Sequence, residues 1–268
     1  MTVYRGTTPD ELQRSIDCII GQTRPPEEFL VVVDGPIPAS VEGVLDTAVS
    51  RHPTLRVERL PVNLGSGGAS ARGLDCATGD LLARHDSDDI SLPHRLERQV
   101  DALVAGGLDL LGAAMTEFVG EPDNIVGIRR NPAPHDQIIR AARLNNPINN
   151  PTAIFRREVA LRAGGYSDLR YMQDYDLFAR MLAIGARAGN LEEPLVLFNA
   201  GDGMLARRQG MDMLRREWDL QRRLRASGLI GRGTQARNLV LRGAFRLLPA
   251  PVLRTAYGVL FRDRQAAT

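Results

Sequence analysis

Five consecutive apolar residues, Phe29-Leu30-Val31-Val32-Val33, stop abruptly at Asp34-Gly35-Pro36. A run with no polar alternation reads as a strand covered on both faces, the situation in parallel sheets flanked by helices. The neighbouring segments agree. Thr8 can cap a helix that has Pro9 in its first turn and Glu11 three residues on, and Leu12, Ile16, Ile19 and Ile20 then recur at helical spacing. A helix over 39–51, a strand over Leu55–Leu60, a helix over 69–77 and a strand over 81–84 follow. Alternation of this kind predicts a doubly wound α/β sheet, in which ligands bind beyond the carboxyl ends of the strands. Such a domain normally opens with a strand, yet only Thr2-Val3-Tyr4 precedes the first helix. The first strand is therefore expected to be very short, or to begin ahead of Met1 in a longer chain.

Further along, the pattern predicts a helix over 93–105, a strand over 108–118 and an extended stretch over 125–130. A polar, proline-punctuated loop at 145–151 leads to a short strand over 152–156 and a short helix over 158–163, ended by Gly164-Gly165. A helix over 174–184 and a strand over 195–199 close a main domain placed at residues 1–204. Residues 205–268 read as a helical tail, with helices over 206–226, 235–247 and 250–262.

All 34 basic residues are arginine, so mechanisms that need a Schiff-base or phosphate-binding lysine are excluded. Charge is unevenly distributed. Residues 1–204 carry 20 Arg against 28 acidic residues, residues 205–268 carry 14 against 4. In the tail, Leu239-Val240-Leu241, Ala244-Phe245 and Leu247-Leu248 alternate with Arg237, Arg242 and Arg246, an apolar stripe edged by arginine as in a helix lying on an anionic membrane surface. A helical appendage packed on the main domain is the other reading. Tail aromatics are too few for a nucleic-acid stacking platform. There is no apolar run of about 18 residues and no apolar leader. The two cysteines, Cys18 and Cys76, suit a reducing compartment. Together these predict a cytoplasmic protein, peripheral at most on the inner face of the membrane.

Three carboxylates crowd into Asp86-Ser87-Asp88-Asp89 at a predicted strand end. They repel one another unless a cation or hydrogen-bond donors lie among them. Hard oxygen ligands suit Mg²⁺ or Mn²⁺ shared with substrate phosphates; a solvated acidic turn is the bland alternative. Gly65-Ser66-Gly67-Gly68 fits a dinucleotide fingerprint poorly, because it does not follow the first strand, but an amide-rich turn before a helix can still approach a phosphate. Asp174, at the start of a helix, reads alone as a cap more readily than as a base. The histidines have no metal spacing.

Taken together, these pieces resemble the inverting family 2 glycosyltransferases of the GT-A fold. Val32-Val33-Asp34-Gly35-Pro36 resembles the family's VDDGS strand end, with Val33 replacing one Asp. Asn63-Leu64-Gly65 with Ala71-Arg72-Gly73 resembles its NxGxxxARN segment, and Asp86-Ser87-Asp88 its DxD metal motif. Gly164-Gly165-Tyr166 with Gln173-Asp174-Tyr175-Asp176-Leu177 resembles GGY…EDYDL, Gln173 standing for Glu. The segments 149–156 and 201–208 are similar to those of bacterial capsule and exopolysaccharide enzymes of the amylovoran type. The resemblance implies a GT-A fold and transfer of a sugar from a UDP-sugar to a glycan or lipid-linked acceptor. It further implies Asp174 as catalytic base, Asp86 and Asp88 as ligands of Mn²⁺ or Mg²⁺, and Tyr4, Asp34, Asn63, Gly65, Arg72, Asp86 and Asp176 as substrate contacts. A catalytically silent scaffold of the same fold is the alternative that the Gln173 replacement and the short first strand keep open.

Overall fold

The computed structural model describes residues 1–201 and 211–246. Its first strand, β1 (Thr2–Val3), lies parallel to β2 (Phe29–Asp34), which lies parallel to β3 (Leu55–Leu60). Helix α1 (Pro9–Ile20) begins with the expected reciprocal cap between Thr8 and Glu11. It buries Leu12 and Ile16 with Val31 and Val33 of β2 and Leu45 of α2 (Ala39–Arg51). Each such side chain contributes about 1.5–3 kcal/mol by leaving water.

The second sheet is mixed. β4 (Leu81–Ala83), β8 (Ile154–Arg156), β6 (Leu110–Phe118), β9 (Ala188–Asn199) and β5 (Ile90–Ser91) neighbour one another in that order, and β7 (Ile125–Arg129) pairs with β6. Only β6 and β9 run parallel. A parallel bridge between Thr2 and Asp86 connects the two sheets. Helices α3 (Gly65–Cys76), α4 (Arg95–Ala105), α5 (His135–Ala142), α6 (Arg157–Arg162) and α7 (Gln173–Ala183) complete the α/β body. Leu110, Phe155, Phe178 and Met181 lie in its larger core.

Three local differences from the sequence pattern have physical causes. Helix α3 starts at Gly65 rather than near 69, because its first amides are capped by Asp34 from a distant strand. Strand β9 starts at Ala188 rather than 195; register shifts beside Ala114 accommodate Pro194, which reads as a strand breaker. Helix α5 was hidden in a stretch that carries prolines at 132 and 134.

In the tail, α8 (Met211–Ala226) packs against α7, and α9 (Arg232–Arg246) packs against α8. Leu220, Leu224 and Ile230 meet Leu169, Tyr175 and Ala179. Arg242, expected at the edge of a membrane-facing stripe, instead points inward to Glu217. Val240 and Leu241 are exposed. The expected helix over 250–262 and the boundary at 204/205 lie outside the described residues.

Candidate active site

The turn after β2 is shaped by Asp34. Its carboxylate accepts hydrogen bonds from the amides of Leu64 (2.7 Å) and Gly65 (2.9 Å) and from Asn63 Nδ2 (2.9 Å). An acid at a helix N-terminus satisfies orphan donors and opposes the helix dipole. Gly35, at φ +81°, lets the chain pass so close to Asn63 that a β-carbon would clash with its backbone nitrogen. Asp34 is 4% exposed, and with these three donors it holds the Asn63–Gly65 turn.

On the neighbouring strand end, buried Arg84 donates from Nη2 to Asp86 Oδ1 (2.9 Å). Ser87 meets the Thr7 hydroxyl at 3.2 Å, and Thr7 accepts from the amide of Tyr4, so the 4–7 turn is tied to the acidic segment. Tyr4 is half-exposed. Asp88 faces solvent. Asp89 is buried and its Oδ1 accepts the Asn199 amide (2.9 Å). Burial, reinforced by the charges of Asp88 and Asp86, pushes its pKa well above the usual carboxylate range. His85 bonds Ser15 and Ser91; burial holds its pKa well below the ordinary imidazole value, which makes it a neutral structural group.

The third component is the start of α7, which follows Met172 in a left-handed conformation (φ 61°). Asp174 Oδ2 accepts from Asn146 Nδ2 at 2.8 Å. Gln173, in the place of the family's Glu, donates to Ser66 Oγ (2.8 Å) and so links α7 to the glycine turn. Gly67 lets that turn touch the 167–169 segment: a β-carbon there would overlap the Leu169 carbonyl oxygen.

These components converge. Burial disfavours a charge on Arg84, but the fields of Tyr166, Asp86 and Asp174 outweigh it and its pKa is raised. The Tyr166 hydroxyl is pushed up to about 12 by burial, and it too lies within the fields of Arg84, Asp174 and Asp86. Arg84 and Tyr166 thus both feel the charges of Asp174 and Asp86.

Two of the expected substrate contacts are engaged with protein partners. Arg72 is half-exposed and bonded through Nε (2.8 Å) and Nη2 (2.6 Å) to Glu58 on β3, away from the acidic segment. Asp176 is fully buried; it binds Arg180, which donates onward to the carbonyls of Ala163 and Gly165. It fixes the Gly164-Gly165 turn and has no surface for a ligand. Conversely, Arg84, Asn146 and Tyr166 went unassigned. The signals were an arginine ending an otherwise apolar strand and an Asn-Asn-Pro loop.

The acidic segment offers carboxylates of the hard-oxygen type that a divalent ion takes. Among the described residues no three metal-ligating side chains cluster. Asp88 is exposed beside half-buried Asp86, which matches the mode in which Mg²⁺ takes one or two carboxylates and completes its shell with substrate phosphates and water.

A mixed sheet with acidic side chains at its strand ends, capped by a carboxylate-bearing helix start, defines a GT-A-like nucleotide-sugar transferase fold. S. aureus TarS 1-349 in complex with UDP superposes with a TM-score of 0.67 at 14% identity, over 97% of this chain and 75% of that one. Mannosyltransferase PcManGT from Pyrobaculum calidifontis, in complex with GDP-Man and Mn²⁺, gives 0.62 at 18% identity, over 97% and 78%. The model of Glycosyl transferase family 2 matches residues 1–165, and the chain belongs to that family. Among relatives, the amylovoran biosynthesis glycosyltransferase AmsE of Erwinia amylovora is 32% identical, over 96% of both chains. An Escherichia coli UDP-Gal:alpha-D-GlcNAc-diphosphoundecaprenol beta-1,3-galactosyltransferase is 27% identical, over 93% of this chain and 90% of that one.

Proposed function

We propose that the chain is a metal-dependent inverting hexosyltransferase that moves a sugar from a UDP-sugar to a hydroxyl of a glycan or lipid-linked acceptor during cell-surface polysaccharide synthesis. The carboxylate of Asp174, held by Asn146 at the start of α7, together with the acidic segment that Arg84 ties at Asp86, carries this reading. Asp174 takes the proton from the acceptor hydroxyl as that oxygen attacks the anomeric carbon. Asn146 keeps one carboxylate oxygen engaged and so fixes the rotamer of the base. Attack opposite the departing diphosphate inverts the centre in one displacement. Asp88 and Asp86 would hold Mn²⁺ or Mg²⁺, which supplies Lewis-acid stabilisation of charge on the leaving diphosphate. Tyr4, Asn63 and Gly65 border the donor side. Holding the two substrates in line lowers the barrier by several kcal/mol, up to about 7–11 in ideal cases.

The catalytic unit is placed at 1–204 and a basic tail at 205–268. Exposed Trp218, Val240 and Leu241, in a tail rich in arginine, support contact with an anionic inner membrane surface where a lipid-linked acceptor lies. No helix among the described residues is long and apolar enough to cross a membrane. The deciding experiment is a screen of UDP-sugars against polyprenyl-diphosphate-linked sugars with wild type and Asp174→Asn. Transfer by the wild type and its loss in a folded variant supports the reading. No transfer, with no nucleotide binding by calorimetry, leaves the silent scaffold.

A further inference from the structure

Helix α9 turns a polar face inward. Among its described residues only Gln235 and Asn238 are buried, while Val240 is 71% and Leu241 54% exposed. Asn238 and Arg242, four residues apart, share one face of the helix. Both reach the same target, the chain that leaves α5. Asn238 Nδ2 donates to the Arg143 carbonyl (2.7 Å). Arg242 Nη1 donates to the Leu144 carbonyl (2.8 Å) and to Asn145 Oδ1 (2.7 Å). From α7, the Tyr175 hydroxyl donates to the Ala142 carbonyl (2.8 Å). Three successive carbonyls and the next side chain are thus each gripped by a donor from another helix. Buried residues of α8 hold the grips in turn. Glu217 Oε1 accepts from Arg242 Nε (2.6 Å) and from Gln221 Nε2 (3.1 Å), and Gln221 Oε1 accepts from Asn238 (3.1 Å).

The residue that follows the gripped segment is Asn146. Its Nδ2 donates to Asp174, and its Oδ1 accepts from the Ile148 amide (3.2 Å), so both ends of the side-chain amide are directed. Replacing a buried charged pair by apolar residues of equal volume is often neutral for stability. What a bonded network supplies is geometry, because each donor must meet its acceptor at a set distance and angle. Here the geometry is passed along one short path, from α9 to residues 143–145, to Asn146, to the carboxylate at the start of α7.

We propose that Arg242 and Asn238 are positioning residues of the catalytic site, holding the 143–145 segment so that Asn146 aims the Asp174 carboxylate. The proposal rests on the reading of Asp174 as the base. It gives the tail a part in the chemical step, separate from any contact its outer face makes with a membrane.

The test removes the grip and keeps the volume. In the full chain, Glu217→Leu is combined with Arg242→Met. With a UDP-sugar that supports transfer, kcat falls about tenfold to a hundredfold, the scale on which remote misplacement of a reacting group acts. KM for that donor stays unchanged, as when an interaction made only in the transition state is lost. Hydrogen exchange at the Ile148 amide quickens. Adding Asn146→Ala to the pair costs no more than Asn146→Ala alone, since both act through one contact. Asn145→Ala deletes one Arg242 bond and leaves Glu217 paired; it gives a smaller loss of the same kind and carries the test if the pair variant does not fold. A folded pair variant with wild-type kcat overturns the proposal, and so do losses that multiply in the combined variant. Transfer retained by Asp174→Asn removes the base, and the aiming of it as well. Unchanged exchange at Ile148 overturns the hold on Asn146 whatever Asp174 does.

Discussion

Asn146 donates to Asp174 across 2.8 Å, from a loop that precedes the carboxylate by 28 residues. The bond holds one oxygen of the proposed base in a fixed direction. A donor to the ionised form also favours ionisation. Asn146→Ala should therefore move the acid limb of the kcat/KM profile to higher pH, so that activity falls more at pH 6 than at pH 8. A uniform loss at both pH values would assign Asn146 a purely structural role.

Asp174→Asn should lower kcat by roughly 10²–10⁴ with little change in Tm, since the amide can still accept from Asn146. Circular dichroism melts together with initial rates on a UDP-sugar separate the two effects.

Asp88 is exposed to solvent. Asp88→Asn should leave Tm within about 1 °C, as surface substitutions do, yet weaken turnover and Mn²⁺ binding on the order of 100-fold. EDTA should abolish transfer by the wild type, and added Mn²⁺ should restore it. Turnover that ignores EDTA would remove the metal role.

Arg242 braces the loop that carries Asn146. Its Nε bonds buried Glu217 (2.6 Å), its Nη1 bonds the Leu144 carbonyl (2.8 Å) and Asn145 Oδ1 (2.7 Å), and its guanidinium lies over the Tyr175 ring. Removing one member of a buried pair costs about 3–5 kcal/mol. Arg242→Met should destabilise on that scale in urea titrations, and the double variant with Glu217→Leu should be clearly less destabilised than the two single costs added.

Stability should also depend on pH. The Met1 ammonium has an ordinary value of 8.0, and burial lowers it to about 5 in the fold. Between these values the unfolded chain binds the extra proton, so stability rises with pH across 5 to 8 and falls as pH drops through that window. Depressed His85 adds to the same trend below the ordinary imidazole value of 6.5. Raised Asp89 works in the opposite sense at acid pH. Unfolding free energies at pH 5.5, 6.5 and 7.5 should show the rise, and N-acetylation should flatten it above pH 6.5.

The sequence made the body of the fold legible where the signal was local. The Thr8–Glu11 cap, the apolar β2 run and the break at Asp34-Gly35 need only neighbouring residues to be interpreted. What stayed hidden was long-range. Nothing local shows that Leu64 and Gly65 will present their amides to Asp34. Asp176 and Arg72 share motifs with exposed functional groups, but burial with Arg180 and pairing with Glu58 are decided by packing. The inward turn of Arg242 could not be read from an amphipathic stripe, since its partners lie on another helix and in a distant loop.

The backbone contact at Gly67 has a consequence for tolerance to change. Because the glycine turn and the 167–169 segment already meet with no side chain between them, even a methyl group at position 67 would act as a wedge. It would pry the helix bearing Asp174 away from the turn that Gln173 grips through Ser66. The spacing between the glycine turn and the helix start that bears Asp174 is thus set by the smallest possible spacer, and it can be widened by substitution but not narrowed.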